Sequence, residues 1–197
     1  MSVPAPLYAL ILAGGQSTRM GADKGALEYH GRPQAAMLHE LLARHCGQVF
    51  ASINPAQAQA KPYTALPVIV DALPRGGPAT GLLSAAQAYP AAAWLVVAVD
   101  LVALDDRTLS ALVAGRRVSA AATAFRHADG TIEPLCAIWE PAAQALLADR
   151  VACGDASPRR CLEAADVELL VCPEPRALRS VNSPQERARL TTLERPR

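Results

Sequence analysis

Apolar and polar residues follow two recurrent patterns along this chain. Short apolar runs that stop at glycine, proline, asparagine or aspartate predict buried strands at residues 7–13, 49–53, 67–70, 94–99 and 167–171. Leucine, methionine or alanine at helical spacing predicts helices at residues 34–46, 78–88, 108–114, 141–147 and 159–165. Pro33 and Pro78 mark two of the helix starts, and Asp105 or Asp106 is predicted to cap the third helix.

A different pattern appears in the second half of the chain. The pair Asp129-Gly130 separates two strand-like runs at residues 119–125 and 131–139, which is a hairpin signal. Strands that alternate with helices form parallel sheets with helices on both faces. Residues 1–197 are therefore predicted to form a single α/β domain, a Rossmann-like, doubly wound, mainly parallel sheet with an antiparallel hairpin addition.

Polar residues follow four of the predicted strands at the point where each apolar run stops. They are Gly14, Asn54, Asp71 and Asp100. Ligands of doubly wound sheets bind beyond the carboxyl ends of the strands. The four residues therefore predict one binding site along one edge of the sheet, although Asn54 and Asp71 also suit ordinary turns.

The loop after the first strand, residues 12–24, combines glycines with two cations, Arg19 and Lys24. Glycines allow main-chain N–H groups to face a ligand, and the cations neutralise negative charge, so the loop suits a polyphosphate. Its spacing fits neither the P-loop nor the dinucleotide fingerprint. Asp100 ends a buried strand beside this loop, and a carboxylate next to bound phosphates is typical of a Mg²⁺ site. The alternative for Asp100 is a turn or helix-capping aspartate.

The sequence from Leu12 to Lys24 reads L-A-G-G-Q-S-T-R-M-G-A-D-K. It resembles the nucleotide-binding loop of the molybdenum cofactor guanylyltransferases, which belong to a larger group of sugar-phosphate and cofactor nucleotidyltransferases. The resemblance implies that the nucleotide contacts this loop, with Arg19 and Lys24 as catalytic cations. The residues of the loop that it assigns to the nucleotide are Leu12, Ala13, Gly14, Gly15 and Lys24.

Further residues match the same family in chain order. The resemblance implies nucleotide contacts for Asn54, Asp71 and Asp100, with Asp100 also as the magnesium ligand. It divides the chain into a nucleotide-binding half at residues 7–115 and an acceptor-binding half at residues 116–190. In the acceptor half it points to Glu133, Arg159 and Asn182. The family's Cys-Asp-Thr-Pro type motif is changed here, because Val99 and Leu101 flank the aspartate.

The function that the resemblance implies is transfer of GMP from GTP to the phosphate of molybdopterin, with Mg²⁺ as cofactor. The products are molybdopterin guanine dinucleotide and pyrophosphate. A molybdopterin cytidylyltransferase, another nucleotidyltransferase and a non-catalytic cofactor-binding relative remain as alternatives, although Gly15 disfavours the cytidine enzyme. The resemblance also implies transient contact with other molybdenum cofactor proteins.

The composition of the chain excludes several kinds of partner, metal site and cellular location. The formal net charge is +1, with 19 basic and 18 acidic residues, so no nucleic-acid partner is expected. The five cysteines include no C-x-x-C pair, which favours reduced thiols over a zinc site or a disulfide framework. No segment has the length and apolarity of a membrane span, and the first residues lack a signal-peptide pattern. The expected location is cytoplasmic, without a membrane partner.

Overall fold

The elements alternate along the chain much as the hydrophobic pattern predicts. The computed structural model describes residues 4–14, 23–29, 31–72, 77–183 and 185–186. The strands in this part are β1 (Leu7–Leu12), β2 (Glu28–Tyr29), β3 (Arg32–Pro33), β4 (Val49–Ile53), β5 (Val68–Val70), β6 (Ala93–Ala98), β7 (Ala122–Arg126), β8 (Ile132–Trp139) and β9 (Val167–Val171). The α-helices are α1 (Gln34–Leu42), α2 (Pro78–Ala88), α3 (Asp106–Ala114), α4 (Pro141–Ala152) and α5 (Pro158–Glu163).

Seven of the strands in the described ranges form one sheet, in the order β5-β4-β1-β6-β8-β7-β9. Strand β1 lies inside the sheet and pairs in parallel with β4 and β6, so that Leu10 lies between Phe50 and Val96. Strand β8 is the one antiparallel member, since it runs against both β6 and β7. The mixed α/β architecture with a mainly parallel sheet and an antiparallel hairpin is therefore confirmed.

Helices cover both faces of this sheet. On one face, α1 and α3 contribute leucines such as Leu38 and Leu109 to a core that includes Ile11 of β1. On the other face, α2, α4 and α5 pack on Leu10 and on the two tryptophans, Trp94 and Trp139. Adjacent residues of β1 thus point into different cores, as expected of a strand buried on both sides.

The ends of two predicted helices differ from the structure by four residues or more. The predicted helix at residues 34–46 ends at Leu42, where the N–H groups of Arg44 and His45 bond to the carbonyls three residues before them instead of four. The predicted helix at residues 141–147 continues to Ala152. Cys153 is its C-cap, and Gly154, with φ +87°, then turns the chain out of the helical conformation. Asp105 is confirmed as the cap of α3, since its side chain accepts a hydrogen bond from the N–H of Thr108 at 2.8 Å.

The carboxyl ends of the first parallel strands meet at one edge. Main-chain hydrogen bonds continue past the strand ends: the N–H of Ala13 donates to Ser52, that of Asp71 to Ile53, and that of Val99 to Leu12. These bonds bring the residues that follow β1, β4, β5 and β6 to the same edge of the sheet. The architecture therefore gathers the four predicted strand-end positions.

Candidate active site

A pocket of about 220 Å³ opens at this edge of the sheet. It lies at the ends of β1, β4, β5 and β6, beside the first turn of α2, and β8 closes one flank. The residues that line it are Leu12, Ala13, Gly14, Lys24, Ser52, Asp71, Gly77, Pro78, Ala98, Val99, Asp100, Leu135 and Ser180. The pocket thus contains six of the sequence-predicted site residues, Leu12, Ala13, Gly14, Lys24, Asp71 and Asp100.

Lys24, Asp100 and Asn182 form a hydrogen-bonded cluster beside the pocket. The Lys24 Nζ donates to Asp100 Oδ2 at 2.9 Å and to Asn182 Oδ1 at 2.6 Å. A main-chain hydrogen bond also joins the segments that carry Asp100 and Asn182, because the N–H of Val181 donates to the carbonyl of Asp100 at 3.0 Å. The Lys24 and Asp100 side chains are 23% and 17% exposed, so the ion pair is only partly shielded from solvent. The fold therefore unites residues from three distant parts of the sequence.

The oxygen atoms of this cluster suit a hard divalent cation. A carboxylate oxygen of Asp100 and the amide oxygen of Asn182 already face one cation, the ammonium of Lys24. Mg²⁺ binds oxygen ligands and usually takes only one or two carboxylates together with phosphates of a substrate. Within the described residues no group of three or more histidine, cysteine, aspartate or glutamate residues is placed to hold a metal. The two oxygen atoms thus fit the ligand preference of a magnesium ion.

Asp23 anchors the turn that presents Lys24. Its Oδ1 accepts hydrogen bonds from the N–H of Gly25 at 2.9 Å and from the hydroxyl of Tyr63 at 2.7 Å. Its Oδ2 accepts a bond from Gln57 Nε2 at 2.6 Å. Burial and the nearby Asp23 carboxylate raise the pKa of Tyr63 well above its usual range, so the phenol remains a donor. The neighbouring residues Asp23 and Lys24 therefore have different roles, since Asp23 fixes the backbone of the turn and Lys24 faces the pocket.

Asn54 holds the end of β1 in place. Its Nδ2 donates to the carbonyl of Gly14 at 3.3 Å, and its Oδ1 caps a short 3₁₀ turn by accepting from the N–H of Gln57. Gln57 completes a capping box and also donates to the carbonyl of Ala13 at 3.1 Å. Asn54 does not line the pocket itself. The structure thus places it as a support of the predicted nucleotide loop.

Asp71 lies inside the pocket and is held from one side. Ser52, which is buried, donates its hydroxyl to Asp71 Oδ1 at 2.6 Å. On the other side Asp71 Oδ2 approaches Gly14 so closely that a Cβ at Gly14 would overlap it. Burial raises the pKa of Asp71, and the hydrogen bond from Ser52 acts in the opposite direction. The residue is therefore an oriented acceptor within the pocket.

The first turn of α2 forms another wall of the pocket. Gly77 is its N-cap with φ +134°, a conformation that favours glycine, and Pro78 follows as the first helical residue. The amino end of an eleven-residue helix carries partial positive charge and main-chain N–H groups. This wall and Lys24 supply main-chain N–H donors and one positive charge to a lining that also contains the carboxylates of Asp71 and Asp100.

None of the three predicted acceptor residues is in the pocket lining, although Asn182 lies beside it through its bond with Lys24. Glu133 is in β8, and its Oε1 accepts from the N–H of Leu135, which does line the pocket. Arg159 is in α5 near the hairpin turn, where its charge contributes, after hydrogen bonds from Thr131, to the lowered pKa of Asp129. Of the remaining predicted residues, Arg19 and Gly15 lie outside the described residues.

Sequence reasoning did not assign several residues that shape this site. Ser52, Leu135 and Ser180 line the pocket, and Asp23 and Gln57 support it from behind. One of them carried a readable signal, because Gln57 follows Asn54 at the spacing of a capping box. Asp23 lies within the loop motif at residues 12–24, although the motif assigned it no role. Ser52, Leu135 and Ser180 carry no local signal, since their places in the pocket depend on partners that are distant in sequence.

Comparison with known proteins identifies the family. A sequence model of the MobA-like NTP transferase domain matches residues 9–169. The bifunctional molybdenum cofactor biosynthesis protein of Synechocystis sp. is 37% identical over 92% of this chain, although the chain spans only 52% of that protein's length. A protein of Mycobacterium bovis named as a probable molybdenum cofactor guanylyltransferase is 34% identical over 90% of both chains.

Solved structures support the fold. The molybdopterin-guanine dinucleotide biosynthesis protein A of Archaeoglobus fulgidus superposes with a TM-score of 0.79 and 19% identity, over 94% of this chain and 97% of its own. A CMP:2-keto-3-deoxy-manno-octonic acid synthetase, solved with CTP, superposes with a TM-score of 0.72 and 11% identity, over 95% and 98% of the two chains. The fold is therefore that of nucleotidyltransferases, and the sequence matches show that the chain belongs to the MobA-like NTP transferase family.

Proposed function

We propose that this protein transfers GMP from GTP to the terminal phosphate of molybdopterin, which yields molybdopterin guanine dinucleotide and pyrophosphate. The observation that carries the proposal is the Lys24–Asp100–Asn182 cluster beside the phosphate-suited pocket at the strand ends. The family and the guanylyltransferase names of its relatives supply the direction of the chemistry.

The nucleotide is proposed to lie along the ends of β1, β4 and β5. Its phosphates would face the loop after β1, the ammonium of Lys24 and the amino end of α2. Arg19, on the same loop, is assigned to the phosphates as well. Positive charge and N–H donors aimed at the phosphates would stabilise the negative charge that develops on the departing pyrophosphate.

Asp100 and Asn182 are the residues proposed to hold Mg²⁺. The ion would neutralise phosphate charge and orient the phosphates for in-line attack. To engage the phosphates, Lys24 must share or give up its contacts with Asp100 and Asn182. In the proposed bound state Lys24 therefore faces the nucleotide, and the two oxygen ligands face the metal.

The proposed nucleophile, the terminal phosphate of molybdopterin, needs no activation by the protein. A phosphate monoester carries negative charge at neutral pH and attacks the α-phosphorus without a protein base. The protein's task is to bind both substrates in line and to stabilise charge. In this mechanism Asp71, which Ser52 holds by a hydrogen bond, is assigned as an acceptor for the nucleotide and not as a catalytic base.

Two further features, the compartment and the partner proteins, belong to the proposal. The cytoplasm is the proposed site of the reaction, in keeping with five free cysteines. No helix in the described ranges has the length and apolarity needed to cross a membrane. Contact with other proteins of molybdenum cofactor synthesis is also proposed, since the Synechocystis relative is named as bifunctional.

The test is guanylyl transfer with purified molybdopterin, offered GTP, CTP or ATP with Mg²⁺. We expect dinucleotide and pyrophosphate with GTP, and at least about tenfold lower turnover with the other nucleotides. Asp100→Asn should abolish transfer, whereas Asp106→Asn is the matched control, because Asp106 is an exposed residue of α3 that pairs with His45. Preference for CTP, or full turnover by Asp100→Asn, would refute the proposal.

A further inference from the structure

The pairing between β7 and β8 breaks in the middle of the hairpin. Ala124 lies opposite Ala137, but the next residue of β7, Phe125, lies opposite Glu133. Residues 134–136 of β8 therefore have no partner on β7 and form an irregular bulge of three residues. The first of them is Pro134, which has no N–H group to leave unpaired. Bulges of this kind redirect side chains and are enriched beside functional sites.

Several hydrogen bonds hold the bulge in one shape. Trp139 Nε1 donates to the carbonyl of Pro134 at 3.0 Å. Glu133 Oε1 accepts from the N–H of Leu135 at 2.9 Å, and Glu133 Oε2 lies 3.0 Å from Nε2 of His127. The Glu133 side chain is only 13% exposed. Because both of its oxygens are engaged within the protein, Glu133 fixes the bulge and is not aimed at a ligand.

The bulge places Leu135 on the pocket wall. Leu135 is partly exposed and contributes an apolar surface to a lining that also carries Lys24, Asp71 and Asp100. The strand order decides which side it occupies. Asp71 follows β5 at one flank of the pocket, Asp100 follows β6, and Leu135 comes from β8 on the far side of β6. Leu135 therefore lies across Asp100 from the part of the pocket proposed for the nucleotide.

We propose that Leu135 is a specificity-determining residue of the acceptor subsite, positioned there by Glu133 and His127. The inference rests on the proposed function, since it needs an acceptor that reaches Asp100 from the β8 side. Leu135 supplies van der Waals contact to the part of the acceptor that carries no phosphate. Glu133 is a positioning residue, which replaces the direct acceptor contact expected from the sequence.

The experiment compares acceptor and nucleotide binding in three variants, Leu135→Ala, Glu133→Ala and Glu133→Gln. Steady-state transfer gives the KM for molybdopterin, and calorimetry gives the Kd for GTP. We expect Leu135→Ala and Glu133→Ala to raise the KM about tenfold while the Kd for GTP stays within about twofold. Glu133→Gln should restore most of the acceptor affinity, because its amide oxygen still accepts from the N–H of Leu135 and its amide nitrogen donates to Nε2 of His127 when that atom carries no proton.

Each other outcome has a definite meaning. An unchanged KM for molybdopterin in Leu135→Ala would overturn the inference, and a weaker Kd for GTP beside it would place Leu135 in the nucleotide subsite. Equal effects of Glu133→Ala and Glu133→Gln would overturn the positioning role. Leu135→Val, a smaller truncation, repeats the test if Leu135→Ala does not fold. Absence of guanylyl transfer by the unmodified protein would instead refute the proposed function.

Discussion

The Lys24 ammonium lies 2.9 Å from Asp100 Oδ2, although 76 positions separate the two residues in the chain. Asn182 Oδ1 contacts the same ammonium at 2.6 Å. A lysine thus occupies the place beside two oxygen atoms that the proposed metal would take. Two cations compete for one carboxylate, so binding of the metal and the position of Lys24 are expected to be coupled.

This coupling predicts that Lys24→Met binds divalent cations better than the unmodified protein when no nucleotide is present. The gain in affinity for Mn²⁺, measured by calorimetry, should be about 1.4- to fivefold, because a partly exposed ion pair is worth about 0.2–1 kcal/mol. Affinity for GTP should fall in the same variant, since the phosphates lose a cationic partner.

Lys61→Met is the matched control for that experiment. Lys61 is exposed and does not line the pocket, and its removal changes the net charge by the same amount. Equal Mn²⁺ affinity in Lys24→Met and Lys61→Met would show that the ammonium does not compete with metal for Asp100.

The sequence predicts the pocket's location better than its internal contacts. Gly14, Asp71 and Asp100 follow apolar runs, and parallel strands bring their carboxyl ends together, so their proximity was predictable. The hydrogen bond from Ser52 to Asp71 was not, because it depends on the register between β4 and β5. Residue spacing within one segment does not reveal contacts of that kind.

Gly14→Ala is predicted to disrupt the pocket. An added Cβ would overlap Asp71 Oδ2 and lie 3.2 Å from the main-chain nitrogen of Asn54. Overpacking of this kind costs about 1–3 kcal/mol. Displacement of Asp71 should therefore weaken GTP binding about tenfold or more, as measured by calorimetry. Gly47→Ala is the control, since nothing lies within 4 Å of its Cβ position. Unchanged GTP binding in Gly14→Ala would remove Asp71 from the nucleotide site.

The buried carboxyl of Asp71 predicts a pH dependence of GTP binding. Burial raises its pKa above the ordinary value of 3.8, so the group binds a proton at higher pH than an exposed aspartate does. Affinity that depends on the ionised form should be present above this raised pKa and fall as the pH drops through it. Ser52→Ala removes the hydrogen bond that lowers the pKa, and should move the midpoint of this loss to higher pH.

Asp71→Asn separates this effect from titration of GTP itself. The variant lacks the carboxyl group, so its residual pH dependence belongs to the nucleotide and to other residues. The difference between the two titration curves isolates Asp71. Identical pH profiles for Asp71→Asn and the unmodified protein would contradict the assignment.

In the fold, too, features set by neighbouring residues could be predicted from the sequence, and features set by residues distant in the chain could not. The hairpin of β7 and β8 was predictable from Asp129-Gly130, because that pair suits a tight turn, and Gly130 adopts φ +89°. The insertion of β8 between β6 and β7 was not predicted, since strand order depends on which faces are buried. The buried pair of Arg116 with Glu140, which are 2.6 Å apart, likewise arises only from the folded arrangement.

Asp155 provides a prediction about stability away from the active site. Its carboxylate pairs with Arg150 and with Arg160 Nε at 3.1 Å, and accepts from the N–H of Ser157 at 3.1 Å. The hydrogen bond from Arg150, followed by that from Arg160, lowers the pKa of Asp155 to about 2. An acid with a lowered pKa stabilises the folded state above its unfolded-state pKa and loses this contribution as the pH falls through the folded-state value.

The stabilisation from Asp155 should therefore be complete at pH 7 and vanish between about pH 4 and pH 2. Asp155→Asn is expected to lower the Tm by a few degrees at pH 7, and the difference from the unmodified protein should shrink steadily below pH 4. Thermal unfolding followed by circular dichroism from pH 7 to pH 2.5 measures this difference. Glu163→Gln, an exposed change in the adjoining helix α5, controls for the loss of one negative charge. A Tm difference for Asp155→Asn that stays constant across this range would show that the ion pairs of Asp155 do not stabilise the fold.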